Sequence, residues 1–148
     1  MAANPSTSTS SASPLTKVQL NTWYTKWHVH VVNGLSNNKI LLVHCKSADD
    51  DLGIHNLAVD SETQCNFKLN LIGSTLFFCY MASESDHVHA RLDVFWEDPN
   101  LFHVCDWKRC IWTAKDNGIY LKNIPENHDE FMHGWEMGSV LLANSTIV

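Results

Sequence analysis

Short apolar runs alternate with polar turn signals from Trp23 onward, at intervals of roughly 8–12 residues, a spacing typical of β-sandwiches and barrels. Within Trp27–Asn33, for example, apolar and polar side chains alternate with the period of a half-buried strand. No segment of ten residues has convincing helical periodicity. The pattern therefore predicts an all-β fold, an antiparallel β-sandwich of about eight strands. The predicted strands are Trp27–Asn33, Lys39–Lys46, Ile54–Val59, Gln64–Leu69, Thr75–Met81, His87–Trp96, Ile111–Lys115 and Gly118–Asn123.

Two of these segments have distinctive signals. Thr75–Met81 is a continuous apolar run, which predicts a strand buried on both faces. Asn117-Gly118 lies at the junction of the last two strands and predicts a hairpin turn, because both residue types tolerate positive φ at the central positions.

The chain divides into three parts. Residues 1–22 are rich in Ser, Thr and Ala and predict a disordered lead-in. Residues 23–123 form the single β-sandwich domain. Residues 124–148 are predicted as a C-terminal extension in which the strand pattern has ended, partly packed and then flexible. Three residues there are candidates to pack back onto the domain: Phe131, Trp135 and Met137.

The composition of the chain disfavours two kinds of interaction, with nucleic acid and with the membrane interior. Hydrophobic residues make up 45% of the 148 residues, and the formal net charge is -6, which disfavours nucleic acid as a partner. No run of 18 apolar residues occurs, so we expect no membrane insertion. Residues 1–15 lack the apolar region of a secretory signal. Either a secretory signal has been removed, or the protein is not exported by the common route. As an alternative, residues 1–15 could belong to an organelle transit peptide, although they contain no arginine.

The sequence contains few residue patterns that indicate metal binding or catalysis. Nine histidines include His28/His30 and His87/His89, which could converge on zinc if their strands were neighbours; an outward polar face is the favoured interpretation. His44 and Cys45 are adjacent on a strand and point to opposite faces, so they form no catalytic dyad. No nucleophile elbow, phosphate loop or His-Glu-x-x-His motif occurs. We expect no cofactor, no metal and no enzymatic activity.

Three segments between Val29 and Leu121 resemble, in order and spacing, the plant self-incompatibility S1 family, also called S-protein homologues. The segments are Val43–Ser47 followed by Asp49–Gly53, then Gly73–Cys79, then Cys105–Trp112 followed by Asp116–Tyr120. The resemblance implies a secreted β-sandwich stabilised by disulfides. It also implies a small extracellular signalling ligand or cell-surface interaction protein, whose partner is a membrane receptor or another cell-surface protein.

The cysteine pattern of the family corresponds to four of the five cysteines and leaves Cys65 free; the four are Cys45, Cys79, Cys105 and Cys110. Four cysteines allow three pairings. A Cys105–Cys110 bond closes only a short loop, whereas joining either one to Cys45 or Cys79 constrains the unfolded chain more. We therefore favour two such long-range bridges. The alternative is five reduced, buried thiols.

Four polar loops are the candidate contact sites: Gly34–Asn38, Ser47–Gly53, Ser83–Asp86 and Asp98–Lys108. Seven residues in these loops or directly after them are predicted to bind the partner: Asp49, Asp50, Asp51, Asp106, Trp107, Lys108 and Arg109. For the acidic triplet, calcium is disfavoured because the distal ligands are missing, and a structural turn completed by Gly53 is favoured. For the second loop, the alternative is that Trp107 simply covers the edge of the sandwich.

The alternative function is a carbohydrate-binding module of the cell wall that uses exposed aromatic side chains. Trp112 and Trp96 are predicted core residues, whereas four other tryptophans flank strands or loops: Trp23, Trp27, Trp107 and Trp135. Asn144 begins a glycosylation sequon, Asn144-Ser145-Thr146, which is usable only after export.

Overall fold

The computed structural model describes residues 26–69 and 75–138. Its elements are β1 (Trp27–Asn33), β2 (Leu41–Lys46), β3 (Asp51–Leu57), β4 (Glu62–Phe67), β5 (Leu76–Ser83), β6 (Val88–Trp96), α1 (Pro99–Val104), β7 (Arg109–Lys115), β8 (Gly118–Asn123), β9 (His128–His133) and β10 (Glu136–Met137). All eight predicted strands are confirmed. The predicted lead-in, residues 1–22, lies outside the described residues, as does Asn144.

The strands form two five-stranded sheets packed face to face. The β1 sheet has the order β4-β1-β7-β8-β9, and the β2 sheet has the order β10-β6-β5-β2-β3. The predicted all-β sandwich is confirmed. One pairing differs from a purely antiparallel arrangement, because β1 and β7 run parallel in the centre of the β1 sheet.

Two strands follow residue 124, where the sequence pattern predicts none. β9 pairs with β8 and β10 pairs with β6, so each extends a different sheet. No side chain of β9 is fully buried, and even Phe131 and Met132 are exposed, as is possible on an edge strand. Such a strand is held by backbone pairing with its neighbour, and apolar alternation therefore does not reveal it.

The chain also contains one short helix that the sequence pattern does not predict. α1 lies within the predicted loop Asp98–Lys108 and buries Leu101 and Phe102. Asp98 caps it by accepting a hydrogen bond from the Asn100 backbone N–H, and Pro99 occupies the first turn. A helix of six residues is too short to show a periodic pattern.

The core lies between the sheets and is dominated by aromatic side chains. Trp112 is 1% exposed, as predicted, and its Nε1 donates to the Val94 carbonyl oxygen of the facing sheet at 2.9 Å. Trp27 is fully buried and packs on Phe95 and Phe102, with ring centroids 5.3 and 4.8 Å away. The two sheets are therefore joined through tryptophan side chains from the β1 sheet.

The prediction that Thr75–Met81 is buried on both faces is wrong. Burial alternates along most of β5: Phe77 and Cys79 face the core, whereas Leu76 is 43% exposed. The outer face of this sheet is uncovered at the start of the strand, so its apolar side chains there meet solvent.

The disulfides are Cys45–Cys79 and Cys105–Cys110, and Cys65 is a free thiol. The predicted pairing between the two sets is wrong. Cys45 and Cys79 are directly opposite each other in the ladder between β2 and β5. Cys105 follows α1, and the turn after it reverses the chain so that Cys110 of β7 meets it. Backbone pairing, rather than loop length, decides the connectivity.

The hairpin between β7 and β8 lies one residue earlier than predicted. Lys115 pairs with Gly118, so Asp116 and Asn117 are the central residues, and Asn117 does not have positive φ. Gly118 begins β8 with φ +150°, and a Cβ there would clash with Cε1 of Phe131. Close approach of β9 therefore requires this glycine.

Candidate partner-binding surface

The four predicted contact loops lie at two opposite ends of the sandwich. At one end, Lys46 pairs with Phe78 and Leu76 pairs with Trp96, which brings the end of β2, the start of β5 and the end of β6 together. We call this the helix end; it includes Ser47–Asp50, α1 with the following turn, and the turn at residues 124–127. The other end, here the hairpin end, includes Gly34–Asn38, residues 84–87 and Asp116-Asn117.

Ion pairs and hydrogen bonds join the turns of the hairpin end to one another. Lys39 Nζ lies 2.9 Å from Asp86 Oδ2 and 3.4 Å from Asp116 Oδ1, so it joins two turns. Ser36 donates hydrogen bonds to Asp116 from its hydroxyl and its backbone N–H, which lowers the pKa of that carboxyl. The hydrogen bond to Asp86 raises the pKa of Lys39. The charged groups of this end therefore largely satisfy one another.

The loop closed by Cys105–Cys110 dominates the helix end. Asp106 and Trp107 both adopt left-handed backbone conformations, with φ of 56° and 58°. Such conformations are uncommon for residues other than glycine. The Trp107 N–H donates to the Phe102 carbonyl at 2.8 Å, and the Arg109 N–H donates to the Cys105 carbonyl at 3.0 Å. The loop is thus held in one shape, and it presents Lys108 and Arg109 to solvent.

Trp107 is partly buried within this loop. Its ring packs on Phe102 with centroids 5.5 Å apart and adds to the edge of the core. This contact supports the interpretation that Trp107 covers the edge of the sandwich, beside any contact it makes with a partner. Asp106, Lys108 and Arg109 are exposed.

The loop after β2 contains three aspartates, of which Asp51 has a structural role and the side chains of Asp49 and Asp50 are available to a partner. Asp51 Oδ1 accepts a hydrogen bond from the Gly53 N–H at 2.9 Å, and Gly53 has φ +81°, as the structural-turn interpretation predicts. That bond, with His44 Nε2 at 2.7 Å, lowers the pKa of Asp51. Asp49 and Asp50 instead border an open cleft of about 330 Å³. Only the latter two are therefore available for a partner without loss of a structural contact.

The histidine pairs do not converge. His28 and His30 lie on β1, whereas His89 lies on β6 of the other sheet. His30 Nδ1 is 2.8 Å from Glu62 Oε2, and His89 Nε2 is 3.7 Å from Glu136 Oε1. Across residues 26–69 and 75–138, no group of three or more potential ligands is arranged to hold a metal ion.

The tryptophans do not support a sugar-stacking platform. Trp27 is fully buried, and Trp135 is half-buried with its Nε1 donating to the Lys115 carbonyl at 2.8 Å. Trp107 is also half-buried, and Trp23 lies outside the described residues. The exposed aromatic faces that the carbohydrate-binding alternative requires are therefore lacking at these three described positions.

Sequence reasoning missed a cleft of about 340 Å³ on one open side of the sandwich. It lies between the edge strands β3 and β4 and is lined by Val29, Val31, Cys45, Leu52, His55, Thr63, Gln64, Cys65 and Asn66. No local pattern signals it, because it arises between two edge strands of different sheets that are not hydrogen-bonded to each other. Burial raises the pKa of the Cys65 thiol to about 11.

Within the part of the chain that the structure describes, no helix is both long and apolar enough to cross a membrane.

Comparison with known proteins connects this architecture to a family. The family model of plant self-incompatibility protein S1 matches residues 28–135. S-protein homolog 1 of Arabidopsis thaliana is 47% identical over 113 residues, covering 76% of this chain and 74% of that protein. S-protein homolog 74 of the same plant is 44% identical over 113 residues, with the same coverage.

A solved structure agrees in fold. It is that of a self-incompatibility protein homologue, from a group described as widespread, small, highly stable, secreted plant proteins. Sequence identity is 20%, the TM-score is 0.57, and the match covers 76% of this chain and 96% of that chain. The sandwich, the order of its motifs and the matched span together show that this chain belongs to the plant self-incompatibility protein S1 family.

Proposed function

We propose that this S-protein homologue is exported and acts as a small extracellular signalling ligand. In this proposal its helix end docks onto a membrane receptor or another cell-surface protein. Recognition between cells, in self-incompatibility-like or developmental processes, is the setting that the family suggests.

Export is supported by two observations. The structural neighbour belongs to a group described as secreted. This chain also has two disulfides within its core and loop framework, and such bonds persist in oxidising compartments such as the extracellular space.

The low reactivity of the one free thiol among the described residues argues against cysteine-based catalysis, and therefore favours a binding role. A thiolate is the reactive form of cysteine, and a pKa of about 11 leaves Cys65 almost entirely protonated at neutral pH. The other four cysteines are in disulfides and are not nucleophiles. Rigid loops on a β-sandwich are well suited to recognition.

The observation that carries the proposal is the fixed shape of the Cys105–Cys110 loop. Two consecutive left-handed residues and several backbone hydrogen bonds hold Lys108 and Arg109 in place before any partner arrives. A preformed loop loses less conformational entropy on binding. Arginine and tryptophan are also enriched among the residues that dominate interfaces.

The test is binding of fluorescently labelled protein to a plasma-membrane fraction. We expect Arg109→Glu to weaken binding while the melting temperature stays nearly unchanged, because Arg109 is exposed. Arg91→Glu is the matched control: it makes the same charge change on the outer face of the other sheet. Equal binding by wild type and Arg109→Glu would remove this loop from the binding site.

A further inference from the structure

The basic side chains of this acidic protein are unevenly distributed. Among the described residues, Lys39, Lys46 and Lys115 are paired with carboxylates, and Arg91 lies 4.2 Å above the ring of Phe78. The remaining basic residues of the described ranges make no ion pair with a carboxylate: Lys26, Lys68, Lys108, Arg109 and Lys122.

These five residues lie together at the helix end of the β1 sheet. Lys108, Arg109 and Lys122 line one shallow depression of about 360 Å³. Lys26 and Lys68 adjoin Trp27 and Phe67, the last paired residues of β1 and β4 at this end. The His28 N–H donates to the Lys108 carbonyl at 2.9 Å, which places the start of β1 beside the depression.

Four of them form a row across neighbouring strands. Lys68 follows β4, Lys26 precedes β1, Arg109 begins β7 and Lys122 lies on β8, and these are four consecutive strands of the sheet. The row is diagonal, because Arg109 is level with His28 and Trp112 with Leu121, so each of its last two steps also advances two residues along the strands. With strands about 4.8 Å apart and residues about 3.3 Å apart along each strand, the row presents one cation per strand over roughly 20 Å. We call these four residues the basic row.

We propose that the basic row binds a linear polyanion, specifically an acidic polysaccharide with a carboxylate on each sugar unit. A row of cations matches charges that recur along an extended chain, and the depression beside Arg109 accepts one projecting carboxylate. Arginine binds a carboxylate through two parallel hydrogen bonds. The inference rests on the proposed export, because such polymers lie outside the cell.

Nearby acidic groups restrict where the polymer lies. Asp106 lines the depression, and Asp49 and Asp50 border the cleft beside Lys68. Glu126 lies in the turn that follows β8. Asp129 of β9 pairs with Lys122 and ends the row on that side. These carboxylates repel a polyanion beside the row, so they favour a chain that follows the row diagonally over the strands.

A membrane surface fits less well. The depression is floored by Ile111 and Ile124, which are half-buried, and none of the large exposed apolar side chains of the described residues lines it. Surface-bound proteins commonly combine basic groups with apolar side chains that enter the lipid. The mode proposed here also differs from stacking of neutral sugars on tryptophan, since it depends on charge.

The experiment measures binding of the full chain to an oligogalacturonate about ten units long, by fluorescence titration. We expect the wild type to bind, and the carboxyl-reduced, neutral oligomer of the same length not to bind. Raising NaCl from about 50 to about 200 mM is expected to weaken binding, because exposed charges are screened. These two comparisons need no variant and therefore no assumption about its folding.

The variant Lys26→Glu/Lys122→Glu is expected to bind about tenfold more weakly, since it reverses two exposed or half-buried charges of the row. Arg91→Glu, on the other sheet, is expected to bind like wild type. Thermal melting confirms that each variant is folded, and Lys68→Glu replaces the double variant if it is not. Lys26 and Lys122 lie outside the Cys105–Cys110 loop, so this result is separate from the receptor-binding test.

Four outcomes would overturn the proposal: no binding of the charged oligomer, equal binding of the neutral one, an equal loss in Arg91→Glu, or binding to phosphatidylserine vesicles without binding to the oligomer. The vesicle result would identify a membrane surface. An equal loss in Arg91→Glu would show that net charge alone is responsible. Binding to oligogalacturonate with no plasma-membrane partner would leave this inference standing and contradict the receptor proposal.

Discussion

At the scale of single residues, Trp112 connects the two sheets. Its ring is buried, and its Nε1 donates to the Val94 carbonyl of the facing sheet. We expect Trp112→Ala to lower the free energy of unfolding by about 3–5 kcal/mol, measured by urea denaturation, because it leaves a large cavity and an unpaired carbonyl. Trp112→Phe keeps most of the packing and is expected to lose less. A loss below about 1 kcal/mol in Trp112→Ala would contradict the role assigned to this ring.

Asn33 is a fully buried polar residue at the end of β1. Its Nδ2 donates to the carbonyl oxygens of Lys39 and Leu57 at 2.9 and 2.8 Å, and its Oδ1 accepts from the Leu35 N–H at 2.9 Å. It therefore satisfies three backbone groups, two in the connection between β1 and β2 and one at the end of β3. An Asn-Gly pair is a general turn signal in sequence and does not reveal this buried role.

We expect Asn33→Ala to destabilise the fold by about 3 kcal/mol, because each buried backbone group left without a partner costs roughly 1–3 kcal/mol. Asn56→Ala, on the exposed edge strand β3, is the matched control and is expected to change stability by less than about 0.5 kcal/mol. Urea denaturation compares the two. Equal effects would show that the hydrogen bonds of Asn33 contribute little.

At the scale of elements, the turns of the hairpin end are joined by charge. Ser36 donates to Asp116, and Lys39 reaches both Asp86 and Asp116. The pKa of Asp116 is lower in the folded protein than its ordinary value of 3.8. A lowered carboxyl pKa contributes stability that is present above the unfolded pKa and is lost as the pH falls through the folded pKa.

Asp116→Asn is therefore expected to lower the melting temperature at pH 6, and the difference from wild type is expected to shrink below about pH 4. Thermal melting of both proteins across this pH range measures how closely their melting temperatures converge. Asp93→Asn is the control, because no ion pair joins exposed Asp93 among the described residues. A difference that stays constant down to about pH 2.5 would contradict a role for the charge of Asp116.

At the scale of the whole molecule, the two disulfides have different consequences. Cys45–Cys79 spans 34 residues and Cys105–Cys110 spans 5, so loop closure predicts a loss of about 4 kcal/mol for removal of the first and about 2 kcal/mol for the second. We expect Cys45→Ala/Cys79→Ala to lose more global stability, and Cys105→Ala/Cys110→Ala to lose more partner binding. The reverse order of stability, measured by urea denaturation, would contradict this assignment.

Peptide mapping without reductant is expected to recover both bridges and unmodified Cys65. Because burial raises the pKa of Cys65, its alkylation at pH 8 is expected to be slow in native protein and fast in denaturant. Rapid labelling of the native thiol would contradict its burial. Peptides that join Cys45 or Cys79 to Cys105 or Cys110 would contradict the connectivity.

The sequence by itself determined the class of fold, because side-chain alternation is a local property of each strand and has a period of two residues. Eight strands, the buried position of Trp112 and the free state of Cys65 were accessible in this way or through the family pattern. The motifs around Cys45, Cys79 and Cys110 also sufficed to suggest the family.

Only the tertiary structure decided what depends on pairing between distant segments. Register placed Cys45 opposite Cys79, β9 was revealed by its ladder with β8, and Trp27 was buried by contacts with Phe95 and Phe102. The basic row is a further case, since its residues come from four strands that are dispersed along the chain. Local periodicity contains no information on which strands become neighbours, and long-range backbone hydrogen bonds and core packing supply it.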